Sequence, residues 1–105
     1  MPVQEYLDNL NPKQARKVAW VIGTIEDLSG QGERIPVEYF TKLPDTDDIW
    51  EVRATFGGNI FRILCFHDDG DIVLAAHGFT KKTQKAPAKE IRTAEARKKE
   101  YEQDN

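Results

Sequence analysis

Two arginines stand either side of a glycine pair in "IWEVRATFGGNIFRIL", residues 49–64, and their spacing is the first sign of chemistry in this chain. If Gly57 and Gly58 make a two-residue hairpin turn, Phe56 pairs with Asn59 and Arg53 falls directly across from Arg62. Trp50, Val52, Ala54 and Phe56, with Phe61, Ile63 and Cys65, then line one wholly apolar face. A second turn at Asp69-Gly70 sets Cys65 across from Leu74, Ile63 across from Ala76 and Arg62 across from His77. The other face carries Arg53, Arg62 and His77 in one row, with Phe79 one pleat further on and Lys81 and Lys82 just past the strand. Opposed like charges destabilise a sheet, and Glu51, able to pair with Arg53 in part, is the one evident acid beside them. The row therefore reads as an anion site on an uncovered concave face, rimmed by the basic "KKTQK" segment. A plainer reading stands beside it: solvated or salt-bridged arginines, a structural histidine, and Phe79, Trp20, Trp50 and Phe61 used for packing. Cys65, on the core side, reads as an inert buried thiol.

The elements that must carry these residues follow from the change of period along the chain. Val3, Tyr6, Leu7 and Leu10 recur at helical spacing over residues 2–10, with Pro2 suited to the first turn. Asn11 and Pro12 restart the pattern as a cap and first helical residue, and Ala15, Val18, Ile22, Ile25 and Leu28 form one stripe that ends at Ser29-Gly30-Gln31-Gly32. Residues 33–47, with Pro36, Pro44 and "DTDD", read as a connecting segment with at most a short turn of structure. Three strands follow at about 49–56, 60–67 and 72–79. A last helix in "TQKAPAKEIRTAEARKKEYEQ" has Pro87 near its start and a thin stripe of Ile91, Ala94, Lys98 and Tyr101, so it docks loosely or completes its packing against a partner.

Composition limits the function. A chain of 105 residues, 39% hydrophobic and 31% charged, suits one globular domain spanning 1–105, with no apolar run long enough to cross a bilayer. "MPVQEYLDNL" lacks the pattern of a signal peptide and there is one cysteine, so a cytoplasmic location is expected. The formal net charge of -3 argues against a generally basic nucleic-acid binder. It conceals an asymmetry: residues 76–99 hold eight basic and two acidic side chains, a local +6. That patch suits recognition of an anion at one place, although Arg97-Lys98-Lys99 reads as a solvated helix face. The sequence has no glycine-rich phosphate loop, CxxC, HExxH or spaced acidic set, and no cofactor or metal is expected.

"IWEVRATFGGNIFRILCF", then "IVLAAHGFTKKTQKAPAKEIRTAEARKKEY", with "PVQEYLDNLNPKQARKV" ahead of them, resembles the HigB-like, phage-associated branch of the RelE/ParE toxin superfamily of bacterial toxin–antitoxin modules. The resemblance implies an α+β fold in which an N-terminal helical hairpin packs on an antiparallel β-meander with a C-terminal helix. Members commonly open with a further strand. This sequence begins at the helix after it, so a RelE-like sheet lacking that first strand, with an edge in need of protection, is expected. The implied activity is that of a type II toxin, a ribosome-dependent mRNA endonuclease neutralised by a helix-turn-helix antitoxin. Matched to the family motifs, Arg53, Arg62, His77 and Lys82 are the expected catalytic residues, and Phe79, Lys81, Thr83, Gln84 and Lys85 the expected RNA contacts. Ala86 stands where the family usually has threonine.

Metal-independent cleavage needs a base for the 2′-hydroxyl, an acid for the leaving oxygen and cations around the phosphate. Arg53 and Arg62 would stabilise the developing charge, Lys82 or Lys85 grip a flanking phosphate, and His77 exchange protons, with Phe79 stacked on a base. The expected partners are mRNA on the ribosome and the antitoxin, as a homodimer or a toxin–antitoxin hetero-oligomer, with no membrane. Two alternatives remain: a non-catalytic, ParE-like gyrase-inhibiting toxin, and a degenerate module kept for autoregulation.

Overall fold

The computed structural model describes residues 2–68, 71–81 and 88–103, with side chains described for 5–68 and 88–103. The chain begins with two helices, α1 (Pro2–Asp8) and α2 (Pro12–Gly30). Asn11 caps α2 through a reciprocal pair: its side-chain oxygen accepts from the Gln14 amide at 2.9 Å, and the Gln14 side-chain oxygen accepts from the Asn11 amide at 3.1 Å. Such a cap satisfies two backbone donors that the helix start leaves orphaned. Past the end of α2, Gly32 takes a φ of 70°, open to glycine without steric cost, while the Glu33 amide closes onto the Leu28 carbonyl at 2.9 Å.

Four strands, β1 (Phe40–Lys42), β2 (Trp50–Phe56), β3 (Asn59–Asp68) and β4 (Asp71–Lys81), form one antiparallel sheet in chain order. The β2–β3 hairpin has the expected register, with Phe56 across from Asn59 and Arg53 across from Arg62. Gly57 and Gly58 have φ of 60° and 79°, the backbone that a primed two-residue turn demands. Residues 33–47 contain more than a connection: the short strand β1 pairs with β2, Phe40 across from Val52.

The helical hairpin covers one face of the sheet. Val18, Val21 and Ile25 of α2 meet Val52, Ala54, Phe61, Ile63 and Cys65, and Tyr6, Leu7 and Leu10 pack against the same core. Two residues assigned to that packing lie elsewhere: Phe56, beside the turn, is 39% exposed, and Trp20 is 54% exposed because it projects from the side of α2 opposite Val18, Val21 and Ile25.

The second face is covered too, by α3 (Ala88–Gln103). Ile91, Ala94 and Tyr101 pack with Leu43, Ile49, Leu64 and Phe66. Lys98, which belongs both to the packing stripe and to the Arg97-Lys98-Lys99 run expected in solvent, is buried with the stripe: its ammonium donates to the Asp47 carbonyl at 2.7 Å and lies 3.5 Å from the Asp47 carboxylate. The Asp47 amide donates to Glu95 at 2.9 Å, and the Tyr101 hydroxyl donates to Asp68 at 2.6 Å. The thin apolar stripe of α3 is thus supplemented by polar clasps to the β1–β2 loop and the end of β3. Residues 60–66 of β3 are all buried, as befits a central strand between two helical layers.

Candidate functional site

The register of β2 and β3 sets Arg53 and Arg62 side by side, and the strand alternation puts Glu51 on the same face one pleat away. The Glu51 carboxylate serves both cations. One oxygen accepts from Arg62 Nη1 at 2.9 Å and the other lies 3.6 Å from Arg53 Nε. Arg62 is 0% exposed and Glu51 2%, whereas the Arg53 side chain retains 23% of its surface. Among the described residues, Arg62 Nε and Nη2 are buried with no hydrogen-bond partner. A guanidinium removed from water with two donors unsatisfied is expensive, and such an orphan in a folded protein calls for an explanation. The cluster holds two positive charges and one negative.

These positions correct the picture of an open arginine row. β3 presents Ile60, Leu64 and Phe66 along with Arg62 on the arginine side, all buried, and α3 lies over the Leu64 and Phe66 end. Of the arginine pair, only Arg53 reaches the surface.

The third member of the row also changes. Near the β3–β4 turn the expected offset holds, Phe66 across from Val73 and Asp68 across from Asp71. Between Phe66 and Leu64 the register slips, so Leu64 is across from His77 and Arg62 is across from Phe79. Two steps along β3 correspond to four along β4, so a bulge takes up two extra residues and moves His77 into the row of Glu51 and Leu64. Lys81 pairs in register with Ile60. The side chains of His77, Phe79 and Lys81, and all of Lys82, Thr83, Gln84 and Lys85, lie outside the described residues.

Glu51 is the residue that joins the two arginines, a part that its weak pairing with Arg53 alone did not suggest. Its signal was its position two residues before Arg53, which places both on one face, diagonal to Arg62. On the opposite face, Cys65 donates weakly to the Trp50 carbonyl at 3.6 Å, and burial, then the Glu51 charge, pushes its thiol up to about 12. A thiol so raised is no nucleophile near neutral pH. Among the described residues no group of His, Cys, Asp and Glu is arranged to hold a metal ion. Nor is any described helix long and apolar enough to cross a membrane.

A helical pair and a closing helix on either side of an antiparallel sheet, with an Arg–Glu–Arg cluster on the sheet face whose Leu64 and Phe66 end the closing helix covers, define a small α+β protein. Residues 5–99 match the family model described as Phage derived protein Gp49-like (DUF891), and the chain belongs to that family, a phage-derived, toxin-like group among the RelE/HigB-like toxins. No curated protein and no solved structure matches the chain.

Proposed function

We propose that this protein is the toxin of a type II toxin–antitoxin module, an endoribonuclease that cleaves mRNA on the ribosome without a metal and is held in check by a helix-turn-helix antitoxin. The observation that supports the reading is the registered pair Arg53 and Arg62 on one carboxylate, with two Arg62 donors that find no partner among the described residues. In the cleavage step a 2′-hydroxyl oxygen bonds to the adjacent phosphorus as its proton passes to a base. The 5′-oxygen then departs with a proton from an acid, leaving a 2′,3′-cyclic phosphate. Arg53, the accessible cation, contacts the phosphate. Arg62 supplies positive potential from behind it, undiminished by solvent. His77 and Lys82 are the proposed proton carrier and charge partner, while Phe79, Lys81, Thr83, Gln84 and Lys85 hold the flanking RNA.

Induced expression with mapping of mRNA 5′ ends tests this. Wild-type chain should produce new ends at translated codons and Arg53→Ala should abolish them, with circular dichroism confirming that the variant folds. Unchanged ends in Arg53→Ala would overturn the assignment. The burial of Arg62 favours one other reading, a non-catalytic toxin that inhibits gyrase through protein contacts; growth arrest with intact mRNA and DNA-damage signalling would establish that instead. Harmless overexpression would point to a degenerate module.

A further inference from the structure

The outward face of α2 has no role in the cluster between β2 and β3, yet its composition is not that of an ordinary solvated face. Lys13, Arg16, Trp20, Gly23 and Asp27 follow one another at intervals of three and four, and Lys17 lies four after Lys13 and three before Trp20, so they share one side of the helix. That side is opposite Val18, Val21 and Ile25, which are at most 1% exposed. Trp20 is 54% exposed, and it is held in place: the Lys17 ammonium sits 4.8 Å from its ring centroid, and Tyr39 meets it edge-on at 6.0 Å. An exposed, pre-positioned indole is the kind of anchor on which protein interfaces concentrate their energy.

Gly23 adds an independent observation. Glycine is disfavoured inside a helix, and a Cβ built there meets nothing within 4 Å among the described residues, so none of them demands its absence. What glycine provides is bare backbone one turn from Trp20, open to close approach by another molecule. The charge along the stripe is graded, three cations before Trp20 and Asp27 after it. A uniform polyanion such as RNA would be repelled at the Asp27 end, whereas a polypeptide can match the gradient.

We infer that this face of α2 is a docking surface for an amphipathic helix of a partner protein, with acidic residues set against Lys13, Arg16 and Lys17 and apolar residues covering Trp20 beside Gly23. The inference rests on the reading of the chain as a toxin restrained by a protein partner, and it names where that partner holds it. Calorimetric titration with the purified product of the neighbouring reading frame tests it. Wild-type chain should bind, Trp20→Ala should raise Kd about 30-fold or more, and Gly23→Gln about tenfold, each variant keeping its wild-type circular dichroism. In cells, Trp20→Ala should still arrest growth and escape neutralisation. No binding by wild type, or variants within about twofold of it, would overturn the inference. So would oligouridylate binding that Trp20→Ala abolishes, which would make the face a nucleic-acid site, or self-association lost in that variant, which would make the occupant a second copy. Failure of mRNA cleavage with these affinities intact would refute the catalytic reading and leave the docking surface standing.

Discussion

Replacing Glu51 by glutamine keeps the shape of the side chain and removes the one charge between two guanidinium groups. With Arg62 0% and Glu51 2% exposed, little water is available to take over. Unit charges 4 Å apart attract by roughly 4 kcal/mol at an effective permittivity of about 20, and deleting one member of a buried pair costs roughly 3–5 kcal/mol. The contact to Arg53 at 3.6 Å adds less, since that side chain is 23% exposed. A loss of about 3–4 kcal/mol is therefore expected for Glu51→Gln, a large share of the ~5–15 kcal/mol that stabilises a domain of this kind. The midpoint of thermal unfolding should fall by about 12 °C or more. Arg62→Met should cost less, about 2 kcal/mol or under, because it also removes two unsatisfied donors and leaves Glu51 with Arg53. Urea unfolding followed by circular dichroism gives both values. A Glu51→Gln variant within about 1 kcal/mol of wild type, or an Arg62→Met variant less stable than Glu51→Gln, would refute the assignment of Glu51 as the clasp of the cluster.

Two further outcomes follow from titrating groups. The Cys65 thiol, raised to about 12, favours the neutral form in the fold, so its stability contribution is present below the ordinary value near 9 and is lost as pH rises toward about 12. Alkylation at pH 8 should proceed only on unfolding, and rapid labelling of the native chain would contradict the burial. The Tyr101 phenol is raised by its hydrogen bond to Asp68, so that contact should weaken as pH climbs past the ordinary tyrosine range. Absorbance at 295 nm should show one tyrosine ionising late, and Tyr101→Phe should remove that late step while the rest of the titration stays in place.

Legibility varied with how tightly chemistry constrained the backbone. The β2–β3 register could be read because the alternation of apolar residues leaves only the observed pairing or one offset by two residues, and two glycines with positive φ mark the turn that selects the first. The α2 start was legible because Asn11-Pro12 is cap chemistry. The β3–β4 register was not. Ile72, Val73, Leu74, Ala75 and Ala76 form an apolar run without alternation, so nothing in it marks the two-residue slip that carries His77 away from Arg62. β1 is three residues long, too short for a period to register. The covering of the arginine side does leave a sign in the sequence: Ile60, Leu64 and Phe66 are as apolar as the residues on the other side, which is the mark of a strand buried on both faces. Lys98 hid because its burial depends on Asp47, distant in sequence.

The seven buried residues from Ile60 to Phe66 spell "IFRILCF", and Arg62 is the only charge among them. On the ribosome, or in any unfolded molecule, that run has the β-rich, proline-free, uncharged composition that pairs with copies of itself, apart from the single guanidinium at its third place. A charge inside such a segment opposes intermolecular stacking, since aligned copies would bring like charges together at every layer. The side chain that burdens the finished interior is thus the one that opposes self-pairing of this run before β2 and β4 enclose the strand.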